Sequence, residues 1–221
     1  RSLTEMAKKQ PPAPTATTVY LVRHGVTPST GAVLPGRAKG LHLSDAGVAQ
    51  AERAAQRFQE LKTPPVALYA SPLERTKETA APIAKALGLK TTIAKGLLEC
   101  DFGSWTGQQL DELRKLPEWQ TVQKAPSQFR FPGGESFLEM QARSYGAVVD
   151  LAAAHRGASI VLVSHADPIK AIVAMAAGTP LDQFQRLVVS PCSITTLMIT
   201  AEGAIVLSVN STASLTEVIP S

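Results

Sequence analysis

The sequence predicts an α/β fold: three layers, α/β/α, around a largely parallel central sheet. Three observations carry that expectation. Short apolar, β-prone runs recur at Val19–Val22, Val66–Ala70, Thr91–Ala94 and Ser159–Val163. Runs without polar alternation suit strands buried on both faces, as parallel strands are. Amphipathic helical stretches separate them, near residues 44–61, 72–87 and 136–155, which is the alternation an α/β sheet needs. Finally, three of these strands run straight into chemistry-bearing residues: Arg23-His24-Gly25, Ser71 through Arg75, and Ser164-His165. In an open α/β sheet, ligands bind beyond the carboxyl ends of the strands.

Taken in order, residues 1–18 hold Pro11, Pro12 and Pro14 and read as a flexible N-terminal arm. The first strand, from Val19, ends at Arg23 and His24, and Gly25 would let the backbone turn close to a ligand. A long loop follows, Pro28 to Leu43; loops of that length in a compact domain are often functional. Ser44 is placed as the N-cap of a helix to about Leu61, with Val48, Ala51, Ala55, Phe58 and Leu61 on its buried face. The second helix starts near Pro72 and stops at Gly88, and Pro82 is expected to kink or split it.

Residues 97–135 combine glycines, prolines, aromatics and bases, and read as a cap over a cleft rather than as core. Their Arg114, Lys115, Lys124 and Arg130 suggest a second polar or anionic group on whatever binds beneath. Asp167 and Pro168 read as the N-cap and first turn of a helix ending near Gly178. Strands Ile194–Ile199 and Ala204–Val209 form a hairpin across Glu202-Gly203 that extends one side of the sheet. Residues 19–221 therefore read as a single domain.

Composition excludes several classes. The 221 residues carry a net charge of +4, from 22 Lys and Arg against 18 Asp and Glu. About half of that excess sits in the arm, leaving too little for a nucleic-acid footprint. No apolar run reaches the about 18 residues a membrane helix needs. Cys100 and Cys192 form no metal-spaced pair and fit a reduced, cytoplasmic setting, with a single disulfide as the alternative. Neither a GxSxG elbow nor a GxxxxGK[ST] loop occurs.

What the strand ends share is positive charge. Arg23 with His24, Arg75 and His165 would meet at one sheet edge, where helix N-termini also point. Two guanidiniums and two imidazoles there describe a phosphate-sized anion pocket, and the planar arginine fork binds phosphate oxygens in pairs. A charged Glu99 beside a phosphate would be repelled, so its presence suggests a proton donor. His42 and His155 read as surface or structural, Trp105 and Trp119 as packing residues, and Asp101 and Asp167 as local hydrogen-bonding groups. Cys100 has no trailing arginine loop to make it a nucleophile.

Five stretches in order resemble the histidine phosphatase, or phosphoglycerate mutase-like, superfamily. They are Leu21-Val22-Arg23-His24-Gly25, Ser71-Pro72-Leu73-Glu74-Arg75-Thr76, Leu98-Glu99-Cys100-Asp101-Phe102-Gly103, Pro132-Gly133-Gly134-Glu135-Ser136 and Val163-Ser164-His165-Ala166. The resemblance covers roughly residues 18–210. Leu34-Pro35-Gly36-Arg37 and Leu116-Pro117-Glu118-Trp119 make the chain most similar, within the family, to small actinobacterial phosphomutase- or phosphatase-type proteins.

The resemblance implies the phosphoglycerate mutase-like fold and a phosphohistidine on His24. It gives Arg23, Arg75 and His165 as charge stabilisers and Glu99 as proton donor, with no metal or cofactor. Thr30 stands where the family often has Asn, and Arg37 lies where it often adds a phosphate contact. Cys100-Asp101-Phe102 replaces the Arg-His-Tyr of glycolytic mutases, which tilts the expectation to hydrolysis of a small phosphorylated metabolite. A phosphomutase and a non-catalytic phosphate-binding regulatory module are the alternatives.

Overall fold

A computed structural model describes residues 16–212. Its elements run β1 (Thr17–Arg23), α1 (Asp45–Gln59), β2 (Ala67–Ala70), α2 (Glu74–Leu87), β3 (Thr91–Ile93), α3 (Leu110–Leu113), α4 (Glu118–Lys124), α5 (Phe137–Ala153), β4 (Ser159–Ser164), α6 (Ala166–Ala176), β5 (Ile194–Thr200) and β6 (Gly203–Ser211). The strands form one sheet in the order β3-β2-β4-β1-β5-β6. β3, β2, β4 and β1 are parallel, with Val19 opposite Ile160 and Leu68 opposite Val161. β5 and β6 add antiparallel, as the hairpin predicted.

Side chains alternate across the sheet, and the two faces bury separate cores. Ile160 and Leu162 pack with Val148, Ile169 and Ile172 beneath α5 and α6. Val161 and Val163 pack with Ala55, Phe58, Ala80 and Ile83 beneath α1 and α2. This is the three-layer arrangement expected. Because both faces are covered, the open space lies at the strand ends, where β1 and β4 deliver Arg23 and Ser164 side by side.

Several local expectations change. The arm falls mostly outside the described residues, but Thr17 and Thr18 belong to β1, and Thr17 Oγ1 donates to the carbonyl of Ala152 at 2.8 Å. Ser44 does cap α1, yet Val48 is 46% exposed and Ala54 takes its place on the buried face. Pro82 lies inside α2 without splitting it, since Ala80 and Ile83 on either side are fully buried. His165, not Asp167, is the N-cap residue of α6, because the helix begins directly off β4. Asp167 then falls in the first turn, where a carboxylate suits the helix dipole.

The insert over 97–135 also contributes core. Phe102, Trp105, Leu113, Val122, Phe129 and Phe131 join Phe137, Met140 and Phe184 in a third buried cluster. Its rings meet edge to face, as Phe129 and Phe131 do at 4.9 Å, the geometry their quadrupoles favour. Trp119 stacks over Trp105 at 6.3 Å, so both tryptophans are packing residues.

Candidate active site

The carboxyl ends of β1, β2 and β4 bring Arg23, His24, Arg75 and His165 together, with Glu99 entering from the loop after β3. His24 and His165 face each other edge on, 5.2 Å between ring centroids. Arg75 Nε donates to His24 Nε2 at 3.3 Å, and Glu99 Oε2 lies 3.9 Å from His165 Nδ1. Arg75 and His165 are fully buried, and His24 and Glu99 nearly so.

His24 is held in one tautomer. Its Nδ1 donates to the carbonyl of Gly25 at 2.8 Å, which leaves the lone pair on Nε2. Burial, then the charges of Arg75 and Arg23, push its pKa down to about 3 against the pull of that carbonyl. The imidazole is neutral and nucleophilic at ordinary pH. The loop beyond it is tight: a Cβ on Gly25 would sit 2.6 Å from the carbonyl oxygen of Gly47 in α1. Gly25 is thus required by the approach of α1 rather than by a ligand, and its N–H donates to Thr79 Oγ1 at 3.0 Å.

The remaining groups are anchored on their outer sides. Arg23 Nη1 donates to Val189 O at 2.6 Å and Arg75 Nη2 to Gly36 O at 2.7 Å. His165 Nε2 pairs with Ser71 Oγ at 2.8 Å. Their inner atoms have no partner: Arg23 Nε, Arg75 Nη1 and His165 Nδ1 are all buried and unbonded. Unpaired buried polar atoms are costly, so three nitrogens of this kind at one place describe a site built for an anion. Burial, followed by the charges of Arg75 and His24, pushes the His165 pKa well below its ordinary value, so it would donate as a neutral N–H.

Glu99 Oε1 accepts from the Cys100 N–H at 2.9 Å. Burial, with the Asp167 carboxylate adding to it, pushes the Glu99 pKa up to about 7; Arg75 and Arg23 oppose. A carboxyl poised there can both give and take a proton at neutral pH. Cys100 and Cys192 are both free and buried, so the single-disulfide alternative does not hold. Burial pushes the Cys100 thiol far up, which removes it as a nucleophile.

Thr30 lines the cleft, and its hydroxyl accepts from the Thr27 N–H at 2.9 Å. Arg37 is placed otherwise than expected. Its Nε donates to Glu99 O at 2.9 Å and its Nη2 lies 2.8 Å from Glu135, so it braces the Glu99 loop. His42 pairs with Glu78 at the surface, and His155 with Tyr69 at 2.8 Å, both structural.

Residues that sequence reasoning gave no part in the site include Thr27 and Asp167 on the cleft wall, the latter read as a helix cap, Ser71 behind His165, and Arg143 behind Glu99. Ser71 carried a signal, standing at the carboxyl end of β2 as Arg23 stands at that of β1. Arg143, in mid-helix, carried none.

A buried histidine whose Nε2 accepts from Arg75, among unpaired arginine and histidine nitrogens at a sheet edge, describes an anion-binding site in an α/β protein. The chain belongs to the histidine phosphatase superfamily, branch 1, whose model matches residues 19–212. It is similar to phosphoserine phosphatase 1 of Hydrogenobacter thermophilus, 30% identical over 187 residues, 82% of this chain and 88% of that protein. It is likewise similar to a Salmonella paratyphi C protein named as a probable phosphoglycerate mutase, 32% identical over 178 residues, 80% of this chain and 82% of that one. Among solved structures it matches a mycobacterial glucosyl-3-phosphoglycerate phosphatase with a TM-score of 0.79 at 25% identity, covering 89% of this chain and 100% of the other.

Proposed function

We propose that the protein hydrolyses small phosphomonoesters through a phosphohistidine on His24. The observation that carries this reading is the set of buried, unpartnered nitrogens, Arg23 Nε, Arg75 Nη1 and His165 Nδ1, grouped around His24. They would bind the phosphoryl oxygens and spread the charge of the transition state, which is most of what phosphoryl transfer asks of a protein. Thr30 would add a hydroxyl contact.

Two steps follow. His24 Nε2 gives its lone pair to phosphorus while the ester P–O bond breaks, and Glu99 protonates the departing oxygen. Water then attacks phosphorus, Glu99 takes a proton from it, the P–N bond breaks and inorganic phosphate leaves. Nitrogen attack divides one difficult displacement into two easier ones. The positive charge for both steps comes from Arg23 and Arg75, so the reading invokes no metal or cofactor.

The insert over 97–135 serves as the cap of the cleft, since Phe102 and Leu110 stand on its wall. The substrate is a small phosphorylated metabolite, as the names of the relatives suggest. We place the protein in the cytoplasm, where its two free cysteines stay reduced. Among the described residues no helix is long and apolar enough to cross a membrane.

The likeness to a protein named as a mutase favours a second reading, transfer from the same phosphohistidine to a second hydroxyl. A screen of phosphorylated metabolites that follows both free phosphate and isomerised product separates them. Release of phosphate without isomer supports hydrolysis; isomer without phosphate supports the mutase; neither product with any compound defeats both.

A further inference from the structure

The wall of the cleft, about 240 Å³, carries Arg23 and His24, an apolar group of Val33, Leu34, Pro35, Phe102 and Leu110, and two carboxylates, Glu99 and Asp167. Three of the four bases of the insert that suggested a second anionic group on the substrate are engaged elsewhere, and the fourth, Lys124, is exposed at the end of α4. Arg114 pairs with Asp111 at 2.8 Å, Lys115 with Glu112 at 2.7 Å, and Arg130 with Glu139. Arg114, Lys115 and Arg130 are largely exposed, and Arg37 is paired to Glu135 at 2.8 Å.

Asp167 is fixed where it matters. It lies in the first turn of α6, two residues beyond His165, and that turn starts directly off β4. A bare helix N-terminus would favour a second anion; Asp167 offsets that field with its own charge. Its Oδ1 is 3.9 Å from Lys170 Nζ, a loose pair, and Lys170 also reaches Gln185 at 3.3 Å. A substrate carboxylate in this cleft, beyond the groups that hold the phosphate, would therefore meet apolar walls and a like charge, in a partly desolvated space where such juxtapositions are costly.

We propose that Asp167 is a specificity-determining residue. It makes the cleft select phosphomonoesters of neutral or cationic, largely apolar alcohols and reject those that carry a second anion. This rests on the reading of the cleft as a phosphomonoesterase site. It would set the chain apart from relatives named for carboxylate-bearing phosphoesters.

The test uses three matched esters, propyl phosphate, 3-aminopropyl phosphate and 3-phosphooxypropanoate, with kcat/KM measured for each. In the wild type the carboxylate ester should be slower than the propyl ester by on the order of 10-fold, and the amino ester at least as fast as the propyl. Asp167→Asn should close that gap to within about 3-fold by raising the carboxylate ester. Asp167→Ser, which also keeps a short polar side chain at the helix start, serves if the Asn variant fails to fold. A carboxylate ester as good as the propyl ester in the wild type overturns the proposal, as does a ratio that neither variant moves.

Titration of the wild type with propyl-, 3-aminopropyl- and 2-carboxyethylphosphonate reads the same selectivity without turnover. Binding in the expected order with no ester hydrolysed defeats the hydrolase reading and supports the selectivity. Hydrolysis without the expected order defeats the selectivity alone, and no binding of any phosphonate defeats both.

Discussion

Two pairs of arginines meet at Glu99, and they are treated in opposite ways. Behind the acid, Arg143 is hydrogen-bonded through every guanidinium nitrogen, and Arg37 is held by Glu99 O and by ion pairs to Asp101 and Glu135, although its Nη2 makes no hydrogen bond. Arg143 donates to Gly96 O at 2.8 Å, Leu98 O at 3.1 Å and both oxygens of Glu135, and Arg37 donates to Glu99 O at 2.9 Å. Burial works against the charge of Glu135, yet the Arg143 bond and the Asp101 N–H hold its pKa below the ordinary carboxylate range. In front, Arg23 is anchored through Nη1 and Arg75 through Nη2 and, to His24, Nε, which leaves Arg23 Nε and Arg75 Nη1 buried and unpaired. The first pair stiffens the loop that carries the acid; the second holds its hydrogen bonds in reserve for a ligand. Pairing state, not residue type, separates the two roles.

The largest expected effect falls on the front cluster. His24→Ala removes the lone pair assigned to attack, so turnover should drop to background while phosphate still binds to Arg23, Arg75 and His165. Rapid quench with labelled aryl phosphate should find acid-labile, base-stable protein phosphate in the wild type and none in the variant. Label retained in His24→Ala would move the nucleophile elsewhere. Next in size is Glu99→Gln, which keeps the shape and removes the proton. For an alkyl ester the phosphorylation step should slow by on the order of 10²–10⁴, and for an aryl ester far less. Equal losses for both esters would remove Glu99 as the acid.

A third pair of variants tests the comparison itself. Arg143→Met strips partners from a largely buried carboxylate and several carbonyls, and should cost about 1–3 kcal/mol of stability in urea melts. Arg75→Gln removes a buried charge whose pairing is incomplete without ligand, and should cost less stability while weakening phosphate binding at least about tenfold. Equal destabilisation by the two, or weak phosphate binding in Arg143→Met alone, would collapse the distinction drawn here.

That distinction also marks how far the sequence could be read. The sheet, its parallel centre and the C-terminal hairpin followed from apolar runs and turn residues. The convergence of Arg23, His24, Arg75, Glu99 and His165 followed from strand ends and the family stretches. Arg37 did not, because its position in the loop gave no hint that Asp101 and Glu135 would take its guanidinium. Arg143 sits within α5, where a base looks like a solvated helix face until Glu135 is folded against it. The core within the aromatic insert is hidden in the sequence for a related reason. Prolines break its helical pieces, which suggests a loose cover, but Phe102, Phe129 and Phe131 find a common core with Phe137 and Phe184 that no local periodicity announces.

The smallest effect concerns the proton on Glu99. Burial raises its pKa to about 7, and Asp167 adds to the rise, whereas Arg75, the Cys100 N–H and Arg23 work against it. As general acid it must be protonated, so the phosphorylation step with an alkyl ester should fall as pH rises through about 7. His24, pushed down to about 3, stays neutral across this range and does not obscure the limb. Asp167→Asn removes the carboxylate that favours the protonated form. The midpoint should then move to lower pH, by on the order of half a unit to one unit, because burial, the larger cause, is unchanged. Single-turnover rapid quench isolates this step from dephosphorylation, where Glu99 acts as base and the sign reverses. An aryl ester is the control, since its leaving group needs little protonation and its profile should stay flat. A midpoint that stays in place or rises in Asp167→Asn would separate Asp167 from the acid and leave burial as the sole source of its poise.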